Sequence, residues 1–160
     1  MRVVDTAVFE KLEDNGFWVP VLHQEEDPAP VQPEDTIVVH DSLVTVDAEG
    51  QTVVYAMPYI VYHSSVGDDD NRRLSGRHGR RSVFFSFMYV GVDRNQAKWA
   101  GEKLRGVLQD KRVTVPGHRT WLCGLDESQR IRRDDDAIRT DGSPVFYGVD
   151  NYALSITLTH

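Results

Sequence analysis

Two runs of three carboxylates, Asp68 to Asp70 and Asp134 to Asp136, are the first residues here whose type could do chemistry, because clustered carboxylates hold Mg²⁺ or Ca²⁺. Consecutive residues on an extended chain point to alternate sides, so neither run converges on one ion. Neither is followed by the glycine and bidentate glutamate of a calcium loop. The six histidines, at 23, 40, 63, 78, 118 and 160, have no HExxH or HxxxH spacing. Cys123 is the single cysteine, so it forms no internal disulfide and no cysteine metal site, and the apolar run around it predicts a buried, reduced thiol. There is no GxSxG elbow, GxGxxG turn or GxxxxGK[ST] loop. His118 beside a turn reads as a surface histidine. The expectation is a protein that is not an enzyme, with no catalytic or metal residues and no cofactor.

Clustered charge is what remains. Arg72, Arg73, Arg77, Arg80 and Arg81 form the one basic cluster. Such a cluster serves as a solvated loop, a subunit contact or a nucleic-acid contact, and the preceding Asp68 to Asp70 run partly screens it. Arg130, Arg132 and Arg133 stand directly before Asp134, Asp135 and Asp136. Alternation sends some of these side chains toward a neighbouring subunit and leaves others wet. These eleven residues are the candidate interface residues. A net charge of −7 argues against a general nucleic-acid binder, which needs an excess of Lys and Arg over the face it presents.

The elements that must position these residues follow from hydrophobic patterning. The 160 residues, 40% apolar and 27% charged, fit one globular domain over 1–160. Val8, Phe9 and Leu12 predict a helix from Asp5 to Asn15, with Asp5 as its cap and Gly16 as its stop. Residues 24–35 hold five acids and three prolines and read as an extended surface loop. Strands are expected within Thr36 to Val46 and from Thr52 to His63, where Pro58 demands a bulge or an edge. Residues 64–81 are polar and glycine-bearing, which predicts a mobile loop. The VFFSFMYVGV run within Ser82 to Val92 is apolar on both alternating faces, the mark of a central strand covered on both sides.

Asp93 and Gln96 form a capping box for a helix that ends near Lys111, with Ala97, Ala100, Leu104, Val107 and Leu108 on its apolar stripe and Trp99 flanking it. A β segment at Arg119 to Gly124 leads into a charged turn around Arg130 to Asp136 and the TDGSP turn at 140–144. From Asn151 onward Tyr152, Leu154, Ile156 and Leu158 alternate with smaller residues, a last strand with one core face. The expected fold class is α+β: one mixed or antiparallel sheet with two helices packed on it. No signal-peptide core and no run of about 20 apolar residues is visible, so assembly in a cytoplasm without membrane contact is expected.

Residues 58–159 resemble a known family. PYIVYHSSVG, an Arg/Gly loop, a strand running into VGVDRNQAKWAGEKLRGVLQD, then IRRDDDAI and SPVFYGVDNYALSITLTH are similar, in that order, to the tail terminators of long-tailed bacteriophages. The matching patterns are "R.QA.W…LR..L" on the helix and "PVFY…D.Y.L" on the last strand. The resemblance implies a structural virion protein at the head–tail junction. It would form a six-membered ring on the head-proximal end of the tail tube, stop tube polymerisation and offer a docking surface to the head-side connector. The implied partners are its own copies, the tail tube protein and the connector, with DNA only as passing cargo. A head-completion or stopper protein of the neck is the alternative within virions, and a small cytoplasmic enzyme or ligand-binding domain the alternative of another class. Phe84, Phe85, Phe87, Tyr89, Tyr147 and Tyr152 are read as aromatics in surplus of a minimal core, which suits interfaces.

Overall fold

The computed structural model describes residues 3–23, 36–41, 57–64, 80–138 and 144–159, with backbone alone at 136–138. Helix α1 (Val3–Glu13) starts two residues before the expected cap. Asp5 is therefore not a cap. It is buried within the first turn, where its Oδ1 accepts a 2.6 Å hydrogen bond from the Tyr62 hydroxyl. Gly16, at φ +87°, takes the left-handed conformation that ends the helix as expected.

The chain continues through β1 (Phe17–Trp18), a single 3₁₀ turn (Pro20–Leu22), β2 (Ile37–Asp41), β3 (Tyr59–Ser64) and β4 (Arg81–Gly91). Helix α2 (Arg94–Leu108) follows, then β5 (Lys111–Arg112), β6 (His118–Thr120), β7 (Leu122–Ile138) and β8 (Pro144–Leu158). The sheet order is β1-β2-β3-β4-β8-β7-β5, with β6 also on β8. β1, β2 and β3 run parallel and the later pairs antiparallel, so the sheet is mixed and the fold is α+β with two helices, as expected. β3 begins one residue after Pro58, which keeps the proline out of the ladder.

The core lies on the face that carries both helices. Val83, Phe85, Phe87 and Tyr89 of β4 and Tyr152, Leu154 and Ile156 of β8 meet Ala97, Ala100, Leu104 and Leu108 of α2, as the helix stripe predicted. Phe9 of α1 stands edge-on to Tyr62 at 4.8 Å. On the opposite face Val38, His40, Val61 and Val90 are also buried, whereas Phe84 is 37% exposed. The two-sided cover expected for β4 therefore holds only for its C-terminal end. The aromatics read as surplus divide in the same way: Phe85, Phe87, Tyr89 and Tyr152 are core, and Phe84 and Tyr147 are not.

Asp93 caps α2, its Oδ1 accepting from the Gln96 amide at 2.7 Å. The Gln96 side chain reaches back to accept from the Val92 amide at 2.8 Å, and its Nε2 donates to the Met57 carbonyl at 3.2 Å, tying the helix start to the entry of β3. Gly117, at φ +73°, makes the turn that leads into β6.

The charged turn expected at Arg130 to Asp136 is a strand instead. β7 is 17 residues long, pairs with β8 from Gly124 to Ile138 and is interrupted by three register shifts. It carries no alternation because most side chains from Asp126 to Asp135 are exposed whichever way they point, so backbone pairing rather than burial holds it. β8 likewise begins at Pro144, seven residues before the expected start. Leu158, expected in the core, is 61% exposed beyond the end of the packed face.

Candidate functional site

The most tightly built polar centre is one that the charge clusters did not reveal. Asp150 of β8 lies on the same face as Tyr152, Leu154 and Ile156 and is 0% exposed. An ionised carboxylate in that position requires partners. Arg105 of α2 supplies a forked pair, Nε to Oδ2 at 2.8 Å and Nη2 to Oδ1 at 2.9 Å. The Ser128 hydroxyl of β7 donates to Oδ1 at 2.7 Å, and the Tyr89 and Tyr152 hydroxyls approach at 3.3 and 3.4 Å. Three strands and a helix are thus pinned at one carboxylate.

Glycines make room for this centre. A Cβ on Gly148 would stand 2.6 Å from the Tyr89 hydroxyl, and one on Gly101 would stand 2.9 Å from its ring. The Arg105 guanidinium is held above its ordinary value, first by its hydrogen bonds to Asp150. Burial, then the Asp150 charge, pushes the Tyr89 and Tyr152 hydroxyls up, so both stay protonated donors. Five donors thus surround the one carboxylate of this centre. A cleft of about 230 Å³ opens beside it, lined by Lys98, Glu102, Arg105, Ser128 and Arg130 among others.

Two further groups in the interior, Cys123 and His40, are held neutral by burial. Cys123 is buried, as expected, and burial pushes its thiol up to about 12, which leaves no thiolate at neutral pH. Burial pushes His40 down to about 4. His118 is half-buried, its Nδ1 2.9 Å from the Pro116 carbonyl oxygen. Among the described residues, no three His, Cys, Asp or Glu side chains are grouped to hold a metal ion, and no helix is long and apolar enough to cross a membrane.

The candidate interface residues do not form one site. Arg72, Arg73, Arg77 and the side chain of Asp136 lie outside the described residues, as do loop 24–35 and most of loop 64–81. Arg80 and Arg81 stand where β4 starts, and Arg81 pairs with Ile156 of β8. Arg132 and Asp134 pair with Tyr147 and Val145, at the far end of β8, so about 30 Å of strand separates the groups. Within β7, Arg133 and Asp135 form an exposed 2.8 Å ion pair, and the Arg132 guanidinium lies 5.8 Å from the Tyr147 ring centre. Arg130 is exposed at the rim of the 230 Å³ cleft. Asp134 is half-buried and adds its charge to the burial that holds the Tyr59 hydroxyl above its usual value.

Arg80 is not simply a solvated loop residue. Its guanidinium lies 4.8 Å from the Trp121 ring centre, and Arg119 lies 5.7 Å from the same ring.

Neither a protein-family model nor a curated protein matches this chain. The functional reading therefore stands on the residues themselves. Asp150 and Arg105 were legible in one respect. Each is a charged residue set among inward-facing apolar positions, and each falls inside a motif that carries the resemblance.

Proposed function

We propose that this chain is a structural, ring-forming protein that closes the head-proximal end of a phage tail tube and presents a docking surface to the head connector. The observation that carries the reading is the meeting of its two motifs. Arg105 of the "LR..L" helix and Asp150 of the "D.Y" strand are 45 positions apart in sequence and close one buried ion pair. Gln96 of the "R.QA" segment caps that helix and ties it to the start of β3. Residues that define a family pattern by sequence and also form its folding centre behave as one set. That supports a shared fold rather than chance similarity.

Two further features suit an assembly role. Among the described residues the outer edge of β7 is paired only at Leu122 and Cys123, by β5, so a long charged edge is left without a described strand beside it. Its charges and register shifts block promiscuous strand addition while leaving side chains available for specific contacts. A heterologous contact between copies closes as a ring or grows as a filament, and a terminator requires closure. The test is the mass of the purified protein, alone and mixed with tail tubes. A closed cyclic oligomer in either condition is expected. A monomer that ignores tubes, or a twofold dimer, overturns the reading.

A further inference from the structure

Both helices pack on one face of the sheet, and register places the residues of the other. There Ser82 stands beside Ser155, Phe84 beside Ala153, Ser86 beside Asn151 and Arg119 beside Thr157. Arg81 pairs with the core residue Ile156, so Arg80, one position before it, falls on the same face as Arg119. The two guanidiniums lie 4.8 and 5.7 Å from the Trp121 ring centre. Both arginines are exposed, and among the described residues neither is paired with a carboxylate. A ring face uses none of a guanidinium's N–H donors, so both cations keep theirs for an anion.

From this corner the face runs over short side chains to Phe84, which is 37% exposed. Ser82, Ser155 and Ala153 form the floor, and a Cβ on Gly124, which pairs with Ala153, would meet no atom within 4 Å. The space above the floor is therefore open. Beyond Phe84 lies a cleft of about 280 Å³, lined by His63, Ser86, Asn151 and Asp126 among others. The run of β8 from Asn151 to Thr157 sets the cleft and the arginines about 20 Å apart.

These parts fit one class of ligand. Two guanidiniums suit phosphates, an exposed phenyl ring above short side chains suits a stacked base, and the imidazole, hydroxyl, amide and carboxylate of the cleft suit base edges. The Asp126 carboxylate repels phosphate from the cleft, which fixes the polarity: backbone at the arginines, bases toward Phe84 and Asn151. An acidic peptide would satisfy the guanidiniums and leave Phe84 and the cleft unused. A duplex keeps its bases stacked inside and offers the phenyl ring nothing. The chain's net charge of −7 adds no attraction, so binding must come from this face alone.

We infer that the open face between Arg80, Arg119 and Phe84 binds a short segment of single-stranded nucleic acid, on the order of four nucleotides, with phosphates on the guanidiniums and a base on Phe84. The inference is independent of the ring reading. The test is fluorescence anisotropy of a short labelled oligothymidine titrated with the full chain at increasing salt. Saturable binding is expected, with log affinity falling against log salt at a slope of about −1.4, or about −0.7 for each of two phosphates. Arg80→Gln/Arg119→Gln is expected to flatten that slope toward zero. Phe84→Ser is expected to weaken binding at least about fivefold and keep the slope, since stacking releases no counterion. Unfolding temperatures check that the variants fold; should Phe84→Ser fold poorly, Phe84→Leu keeps apolar bulk without the ring face and is expected to weaken binding in the same direction. Absence of saturable binding by wild type, or an unchanged slope in the arginine variant, overturns the inference. Displacement of the strand by a duplex of equal length, or by polyglutamate, at lower concentration than by unlabelled oligothymidine assigns the face to a duplex backbone or an acidic protein and overturns it too. The ring reading is judged separately, by the protein's mass.

Discussion

Removing the Arg105 guanidinium isolates a single cause. In Arg105→Ala, Asp150, which is 0% exposed in the intact protein, loses a forked, charge-assisted pair at 2.8 and 2.9 Å. Taking one partner from a buried ion pair costs about 3–5 kcal/mol. Arg105 itself is 36% exposed, so water enters the space it leaves, and the Ser128 hydroxyl still donates at 2.7 Å. Both effects place the expected loss near the lower bound, about 3 kcal/mol. For a domain of this size that is a fall of about 6–12 °C in Tm. Urea and thermal unfolding measure it. The partner experiment is Arg105→Met with Asp150→Leu, which removes both charges together and is expected to recover most of the loss, because apolar replacement of a buried pair is often neutral. A cost below about 1 kcal/mol for Arg105→Ala, or a double variant as unstable as the single one, would refute the assignment of this pair as the centre that joins α2 to the sheet.

Leu104 is fully buried against the sheet, so Leu104→Ala is expected to cost about 2–5 kcal/mol in urea unfolding. His40 has its folded value lowered from 6.5 to about 4, so stability is full above pH 6.5 and falls by about 3 kcal/mol as pH drops through that window. Unfolding measured across pH 4 to 6.5 checks this, with a flatter profile expected for His40→Phe. Gly148→Ala must displace the buried Tyr89 ring and is expected to cost about 1–3 kcal/mol by thermal unfolding. Gly106→Ala on the open face of α2 meets nothing within 4 Å and is expected to stabilise by about 0.5–1 kcal/mol in the same assay.

What was legible in the sequence was whatever burial had written as a pattern. The α2 stripe and the alternation of Tyr152, Leu154 and Ile156 each describe one side of an element facing apolar neighbours, and the capping box at Asp93 and the glycine stop at Gly16 are local backbone signals that needed no tertiary partner. β7 was misread because most of its side chains from Asp126 to Asp135 are wet on both faces, so pairing with β8 left no periodic trace there. Asp5 misled in the opposite sense: a residue type that caps helices was instead buried by a hydroxyl 57 positions away, a contact that no local rule contains. The clustered arginines drew attention by density, whereas the centre that holds the fold uses one arginine and one aspartate that come together only when α2 lies on β8. The Trp121 corner was equally hidden, since Arg80 and Arg119 meet through the pairing of β4 and β6 with opposite edges of β8.

The central proposal, that this chain ends the growth of a phage tail tube, is tested most directly by electron microscopy of particles made, without this gene, by a phage that carries it. The account predicts tails of uncontrolled, excessive length that fail to join heads, and restoration of normal length when the protein is supplied. Tails of normal length, or filled heads that leak DNA beside normal tails, would contradict it.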